Sequence, residues 1–194
     1  MSGSLRSGWW PGWLLLAPAL VLARALPLPQ VDDDSWSSRY DGHFRKYAKR
    51  YFGPGVDWRW FKAQAIVESR LKPKARSPGG AVGLMQILPS TFAEIREENP
   101  HFRHIRDPRW NIAAGIYYDR QLEREWLDRV GPDEALNFAF ASYNAGPGRV
   151  RRAYKKAVKS NKQASEWQQV APHAPSLTRR YVRRIHKLMG RQPN

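Results

Sequence analysis

The sequence predicts a single, mostly α-helical domain with at most a small β element. The chain has 194 residues, a length that suits one hydrophobic core rather than two. Apolar residues recur at helical spacing through most of the chain, and no convincing long strand is present. Hydrophobic residues make up 42% of the chain and aromatic residues 12%, which is enough for a packed interior and excludes disorder along the whole length.

The first 25 residues have the features of a secretory signal peptide. Arg6 supplies the positive charge, residues 13–23 form an apolar stretch, and Ala23-Arg24-Ala25 offers a cleavage site between small residues. The stretch contains Pro18 and is shorter than the roughly 20 residues of a membrane span. We therefore expect export to a bacterial periplasm without stable membrane insertion. An uncleaved anchor is the alternative, because two tryptophans lengthen the apolar run.

Residues 26–39 contain two prolines, an acidic run and several serines, and predict a flexible lead-in. The globular domain is expected over residues 40–190. Its first helix, residues 40–51, ends at Gly53-Pro54-Gly55, and Asp57 is expected to cap the second, residues 58–70.

A loop or short hairpin rich in Pro, Gly and Lys should follow over residues 71–83. Pro89 opens a short helix that ends near Glu98. Asp107 at the N-cap and Pro108 at the first helical position start a longer one, whose apolar residues continue to Trp126. The remaining helices are predicted over residues 132–143, 149–159 and 176–189.

The C-terminal quarter is strongly basic. From Arg149 onward the chain has 13 basic residues and one acid, Glu166, within a total net charge of +16. A polyanionic partner is expected. We expect anionic polymers of the cell envelope rather than nucleic acid, because the signal directs the chain out of the cytoplasm and no nucleic-acid motif is present. A solvated basic face without a dedicated partner is the alternative.

The chain has no cysteine, which excludes disulfides, thiolate metal sites, a cysteine nucleophile and a lipid-anchoring cysteine. His101 and His104 lack an acidic third ligand at metal-site spacing, so no metal site is predicted.

Glu68 is the candidate catalytic residue. It follows a mostly apolar run from Phe61, and Phe61, Ala65 and Glu68 share one helix face. The carboxyl group should therefore lie at the edge of the core, where burial raises its pKa and keeps it protonated as a general acid.

The residues after Glu68 make the chain resemble lytic transglycosylases with the soluble-lytic-transglycosylase (SLT) domain, which share a lysozyme-like fold. The resemblance covers about residues 57–187. It is carried by four ordered blocks: Glu68-Ser69 with Ser77-Pro78-Gly79-Gly80-Ala81-Val82-Gly83-Leu84-Met85-Gln86; Asp107, Pro108, Asn111, Ile112, Gly115 and Tyr117 or Tyr118; Ala141, Tyr143, Asn144, Ala145, Gly146 and Gly148; and Thr178, Tyr181 and Val182.

The resemblance implies that Ser77 and Gln86 line the sugar subsites around the scissile bond and that the Tyr143 hydroxyl points toward the catalytic carboxyl. Met85 and Asn144 complete the predicted substrate-binding set, although Met85 also fits a core position and Asn144 a helix end. The chain departs from the family at Leu177, where a glutamate is usual, and no site role is assigned there.

Residues 69–93 contain neither Asp nor Glu, so a second catalytic carboxylate is not available close to Glu68 in sequence. The resemblance implies a mechanism with one acid. Glu68 protonates the glycosidic oxygen of the MurNAc–GlcNAc bond in peptidoglycan and then removes a proton from the C6 hydroxyl, which leaves a 1,6-anhydro ring. No cofactor is implied. A lysozyme-type hydrolase and a non-catalytic cationic peptidoglycan-binding protein remain the alternatives.

Overall fold

The computed structural model describes residues 36–161 and 164–190. Eight α-helices lie within these ranges: α1 Asp41–Phe52, α2 Arg59–Ser69, α3 Pro89–Glu98, α4 Pro108–Val130, α5 Pro132–Ala145, α6 Pro147–Ser160, α7 Trp167–Val170 and α8 Ser176–Leu188. Short 3-10 turns occur at Ser38–Tyr40 and Ala171–His173. The prediction of a mostly α-helical fold is confirmed.

The helix starts follow the local chemistry of the sequence. Proline occupies the first helical position of α3, α4, α5 and α6, where its missing N–H has no intrahelical partner to lose. The Asp107 carboxylate accepts the backbone N–H of Arg109 at 2.9 Å and caps α4 as predicted. Asp57 accepts the backbone N–H of Arg59 in the same way, from just outside α2.

The long helix α4 forms the centre of the fold. It packs most extensively against α5 and also against α1 and α3, whereas α8 packs against α2 and α5. Trp126 of α4 is fully buried and donates its indole N–H to the Ser142 hydroxyl of α5 at 3.0 Å. This packing holds the C-terminal end of α2 against both α8 and the loop that follows α2.

The loop between α2 and α3 contains the only β-type pairing among the described residues. Val82 forms isolated antiparallel bridges with Arg76 and with Ile87. The expected small β element is therefore a pair of bridges that fold the loop back on itself.

The predicted signal peptide lies outside the described residues, as does most of the predicted lead-in. Of the latter, Trp36 packs partly buried against the core. No helix in the described ranges combines the length and the apolar character needed to cross a membrane.

Candidate active site

Glu68 lies at the penultimate position of α2, where that helix meets α8. Its carboxylate accepts a hydrogen bond at Oε1 from the Tyr181 hydroxyl, at 2.6 Å. The residue as a whole is partly buried. The carboxyl group lies at the edge of the core, as its position on an apolar helix face predicts.

Burial raises the pKa of Glu68 from 4.5 to about 7, while the hydrogen bond from Tyr181 acts in the opposite direction because it favours the charged form. A carboxyl group with a pKa in this range can be protonated or ionised at neutral pH. It can therefore donate a proton in one step and accept one in a later step.

The chain turns sharply after Glu68. Arg70 and Leu71 both have left-handed backbone conformations, with φ of 53° and 55°. The Ser69 hydroxyl donates to the Leu84 carbonyl oxygen at 2.8 Å and so fastens the end of α2 to the far side of the loop. Two consecutive non-glycine residues at positive φ are energetically costly, of order 1–3 kcal/mol each. This backbone strain lies at Arg70 and Leu71, two and three residues after the candidate catalytic residue Glu68.

Ser77 lies at a tight turn in this loop. Its hydroxyl oxygen accepts the backbone N–H of Ala81 at 3.0 Å, and its carbonyl oxygen accepts the N–H of Gly80 at the same distance. The hydroxyl oxygen therefore stabilises the turn as an acceptor. Its O–H donates no hydrogen bond to a described residue and can donate one to a substrate. The predicted substrate contact of Ser77 stays a prediction.

Gln86 is held in a strained conformation, with φ of 47°. Its side-chain Nε2 donates to the Gly83 carbonyl oxygen at 2.9 Å. The side chain is only partly buried and its Oε1 accepts no hydrogen bond from a described residue. An oriented acceptor of this kind suits a sugar hydroxyl or an acetamido N–H.

Met85 is 0% exposed, and its side chain packs against Gly115 of α4. A Cβ atom on Gly115 would lie 2.7 Å from Met85 Cβ, so only glycine fits beside it. The geometry agrees with the core interpretation of Met85 and restricts any contribution to the site to its backbone.

The buried side chain of Asn111 is hydrogen-bonded to the backbone of the loop between α2 and α3. This role was not predicted from the sequence. Asn111 is 1% exposed, accepts the Met85 N–H at 2.8 Å, and donates to the carbonyl oxygens of Val82 and Ile105 at 2.9 Å each. A Cβ on Gly83 would lie 2.5 Å from the Asn111 amide, so the glycine is needed for this close approach. The signal was present in the sequence as a polar residue at a buried position of α4.

The hydroxyl that donates to Glu68 is that of Tyr181, whereas the resemblance implied that the Tyr143 hydroxyl would point there. The Tyr143 hydroxyl donates to the Met85 carbonyl oxygen at 2.7 Å, and the hydroxyl that reaches Glu68 belongs to Tyr181. The difference arises because Tyr143, at the end of α5, faces the loop, whereas Tyr181 lies on α8 directly opposite α2. Tyr143 is still close enough for the charge of Glu68 to raise its pKa, although burial is the main cause.

Asn144 is exposed, and its Oδ1 accepts the Thr178 hydroxyl at 3.0 Å. This bond joins the end of α5 to the first turn of α8. Leu177, next to Thr178, is 67% exposed, which is unusual for a large apolar side chain.

A second carboxyl group lies near Glu68 in space, although not in sequence. Asp119 of α4 is close enough for the charge of Glu68 to raise its pKa further, beyond the larger effect of burial. Asp119 is 0% exposed and accepts a hydrogen bond from Gln64. Asp119 cannot contact a substrate in this position. It therefore does not provide a second carboxylate at the surface beside Glu68.

Within the described ranges, no group of three or more His, Asp or Glu side chains is arranged to hold a metal ion.

The chain is similar in sequence to known proteins. The chain is 33% identical over 147 residues to membrane-bound lytic murein transglycosylase F from Shewanella pealeana, an alignment that covers 76% of this chain and 29% of that protein. The chain therefore spans less than a third of that relative's length.

Two solved structures are also similar. One is the 70 kDa soluble lytic transglycosylase from Escherichia coli, with a TM-score of 0.62, 27% identity, and coverage of 81% of this chain and 25% of that one. The other is an inactive mutant of the lytic transglycosylase Slt from Pseudomonas aeruginosa, with a TM-score of 0.64, 26% identity, and coverage of 78% and 23%.

The family model of the transglycosylase SLT domain matches residues 44–166, which include Glu68, the loop after it and the end of α5. With more than half of the sequence matched, the chain belongs to the transglycosylase SLT domain family.

Proposed function

We propose that this protein is a peptidoglycan lytic transglycosylase that cleaves the β-1,4 bond between MurNAc and GlcNAc. The observation that carries the proposal is the position of Glu68. It is a partly buried carboxyl with a raised pKa, at the edge of a strained loop, and it is hydrogen-bonded by a tyrosine rather than paired with a cation. The activity named for the similar proteins supports the same conclusion.

The chemistry needs one carboxyl group acting twice. Protonated Glu68 donates its proton to the glycosidic oxygen as the C1–O bond breaks, and the substrate's own 2-acetamido group stabilises the positive charge that develops at C1. The ionised Glu68 then takes the proton of the C6 hydroxyl as that oxygen bonds to C1. The product is a 1,6-anhydro-muramyl end, no water is consumed, and Glu68 is protonated again.

The polar groups around Glu68 support this assignment. Tyr181 stabilises the ionised form of the carboxyl between the two steps, and Gln86 and Ser77 offer polar groups on the loop for the sugar. Hydrolysis by the two-carboxylate route would instead need a second carboxyl group in contact with the substrate or with a water beside it. The full burial of Asp119 argues against that role.

The proposal is tested by digesting purified peptidoglycan with the wild-type protein and with Glu68→Gln, then measuring the masses of the released muropeptides. We expect anhydro-muramyl ends from the wild type and a loss of activity of about 10³-fold or more in the variant. Reducing muramyl ends would identify a hydrolase. Binding without any product from the wild type would favour a non-catalytic peptidoglycan-binding protein.

We further propose that residues 1–25 direct export and are removed in the periplasm. The charged start, the short apolar stretch and the small residues at 23–25 support this. Mass spectrometry of the protein recovered from the periplasm measures its N-terminus. A start at Leu26 is expected, and an intact N-terminus in the membrane fraction would favour the uncleaved anchor.

We also propose that the basic C-terminal region contacts anionic polymers of the envelope. Exposed cations cover one face of α6 and much of α8, and a cavity of about 500 Å³ between α7 and α8 is lined in part by Arg179 and Arg183. Arg151 forms an ion pair with Glu125. Such a surface attracts polyanions without selecting a sequence or a stereochemistry.

A further inference from the structure

Asp119 and Gln64 form a polar pair in the interior of the protein. Both are 0% exposed, and the Gln64 side-chain Nε2 donates to Asp119 Oδ1 at 3.1 Å. Gln64 lies one helical turn before Glu68 on α2, and Asp119 belongs to α4. The pair therefore connects the central helix to the turn beneath the candidate catalytic carboxyl.

This single hydrogen bond leaves two buried atoms without a partner among the described residues, namely Gln64 Oε1 and Asp119 Oδ2. Buried polar atoms are almost always hydrogen-bonded, so two such atoms on one pair of groups need an explanation. An ionised carboxylate at this depth would also carry a charge with one neutral donor and no cation, which is energetically very unfavourable.

A proton on Asp119 Oδ2 resolves both problems. The protonated oxygen becomes a donor, and the amide Oε1 of Gln64 is an acceptor, so the two groups can close a second hydrogen bond beside the first. A primary amide and a carboxylic acid joined in this way form a ring in which every polar atom has a partner.

We propose that Asp119 is a neutral carboxylic acid in the native protein, joined to Gln64 by two hydrogen bonds, and that this pair positions the end of α2 that carries Glu68. Asp119 is a positioning residue, because it acts through Gln64 and does not touch the substrate. The part of the inference that concerns Glu68 rests on the proposed function, whereas the protonation of Asp119 does not.

The surroundings of Asp119 favour the neutral form. Burial is the main cause that raises its pKa, and the nearby titratable groups are acidic carboxyls or tyrosines rather than cations. They are Glu68 of α2, Tyr118 and Glu123 of α4, Tyr143 of α5 and Tyr181 of α8. Glu123 is itself paired with Arg120. A neutral Asp119 leaves Glu68 free of a second negative charge beneath it.

The protonation state is tested by unfolding the wild type and Asp119→Asn in urea at about pH 5, 6 and 7. Asparagine is neutral at every pH and can form two hydrogen bonds with Gln64, so the variant should fold. If Asp119 is protonated in the native state but ionised when unfolded, the wild type is destabilised relative to the variant by about tenfold per pH unit, or about 1.4 kcal/mol. Asp128→Asn, at an exposed position of the same helix, is the control.

A difference between wild type and Asp119→Asn that does not grow with pH would overturn the neutral assignment. This measurement needs no enzymatic activity, so it fails or succeeds independently of the proposed function.

The positioning role is tested by kinetics. Asp119→Asn should keep kcat and the pH at which activity declines, because one neutral partner replaces another. Replacing both members with leucine, Gln64→Leu with Asp119→Leu, removes the hydrogen bonds without leaving buried polar atoms unpaired. We expect this double variant to fold and to lose about tenfold in kcat with little change in KM. Full kcat in the double variant, or a shifted pH profile in Asp119→Asn, would contradict the positioning role.

Discussion

Tyr181 is the side chain that most directly controls the proton on Glu68. Its hydroxyl hydrogen bond favours the ionised carboxylate, so its removal should raise the pKa of Glu68 above the present value of about 7. We predict that Tyr181→Phe shifts the alkaline decline of activity to higher pH and lowers kcat about tenfold, because the ionised intermediate state loses a donor.

The measurement is a pH profile of kcat/KM with Tyr154→Phe as a control, since that tyrosine lies on α6 and makes no contact with Glu68. A decline that stays at the wild-type pH in Tyr181→Phe would show that the hydrogen bond does not set the pKa of Glu68.

Glu68 should also make the protein less stable as the pH rises. The native carboxyl keeps its proton up to about pH 7, whereas the unfolded carboxyl loses it near 4.5. The native state therefore binds more protons between these values, and its free energy of unfolding falls across this window as pH increases. We predict that Glu68→Gln is more stable than the wild type at neutral pH by about 3 kcal/mol, with no difference below about pH 4.

Urea unfolding across this pH range checks the prediction, and Glu97→Gln, at an exposed site on α3, is the matched control. Equal stability of Glu68→Gln and wild type at neutral pH would mean that the native carboxyl is not held in its protonated form.

The sequence pointed to Glu68 because this acid ends an apolar helix face and is followed by the residue blocks that resemble the SLT family. It did not reveal that Asp119 and the hydroxyl of Tyr181 lie near Glu68. These residues are 51 and 113 positions away from Glu68, and only the buried Gln64–Asp119 hydrogen bond and the packing of α8 against α2 bring them close. A tertiary contact of this kind leaves no local pattern in the sequence.

At the level of structural elements, the loop between α2 and α3 depends on Asn111. Three buried backbone groups are hydrogen-bonded to this one amide. We predict that Asn111→Ala destabilises the protein by about 3 kcal/mol and lowers activity more than tenfold, because the loop carries Ser77 and Gln86. Thermal unfolding and peptidoglycan digestion provide the two readouts.

Asn99→Ala is a suitable control, because Asn99 is also buried but its side-chain amide donates to the Ile95 carbonyl oxygen in α3 and not to the loop between α2 and α3. We expect a loss of about 1 kcal/mol and normal activity there. Similar effects of the two substitutions would contradict a specific role for Asn111.

Helix positions were largely predictable because they are set by local signals. The predicted starts and ends lie within one or two residues of the observed ones for α1, α2, α3 and α8. Proline at the first position of α3 and glycine after the last residue of α1 are examples of such signals. The structure extends α4 to Val130 and starts α6 at Pro147, both slightly beyond the prediction. Helix α7 was missed because four residues are too few to show a periodic pattern, and the 3-10 turn after it contains a proline.

At the level of the whole molecule, the uneven charge predicts salt-dependent binding. Lys155, Lys156 and Lys159 lie exposed on α6. We predict that replacing all three with glutamine weakens binding to purified sacculi about tenfold at low salt and reduces the salt dependence, because fewer cations attract the polyanion. Sedimentation with sacculi at several salt concentrations is the measurement.

The control replaces Lys46, Lys49 and Lys72, which are exposed on α1 and in the loop after α2. An equal loss in both triple variants, or binding of the wild type that does not respond to salt, would indicate a solvated basic face without a dedicated role.

The most direct test of the single-carboxyl mechanism is to digest peptidoglycan in water enriched in a heavy oxygen isotope. Mass spectrometry then measures the masses of the new muramyl ends. If Glu68 deprotonates the sugar's own C6 hydroxyl and that oxygen bonds to C1, no oxygen enters from the solvent and the ends carry no label. Ends that are heavier by one labelled oxygen would show that water is the acceptor, and would contradict the mechanism proposed for this site.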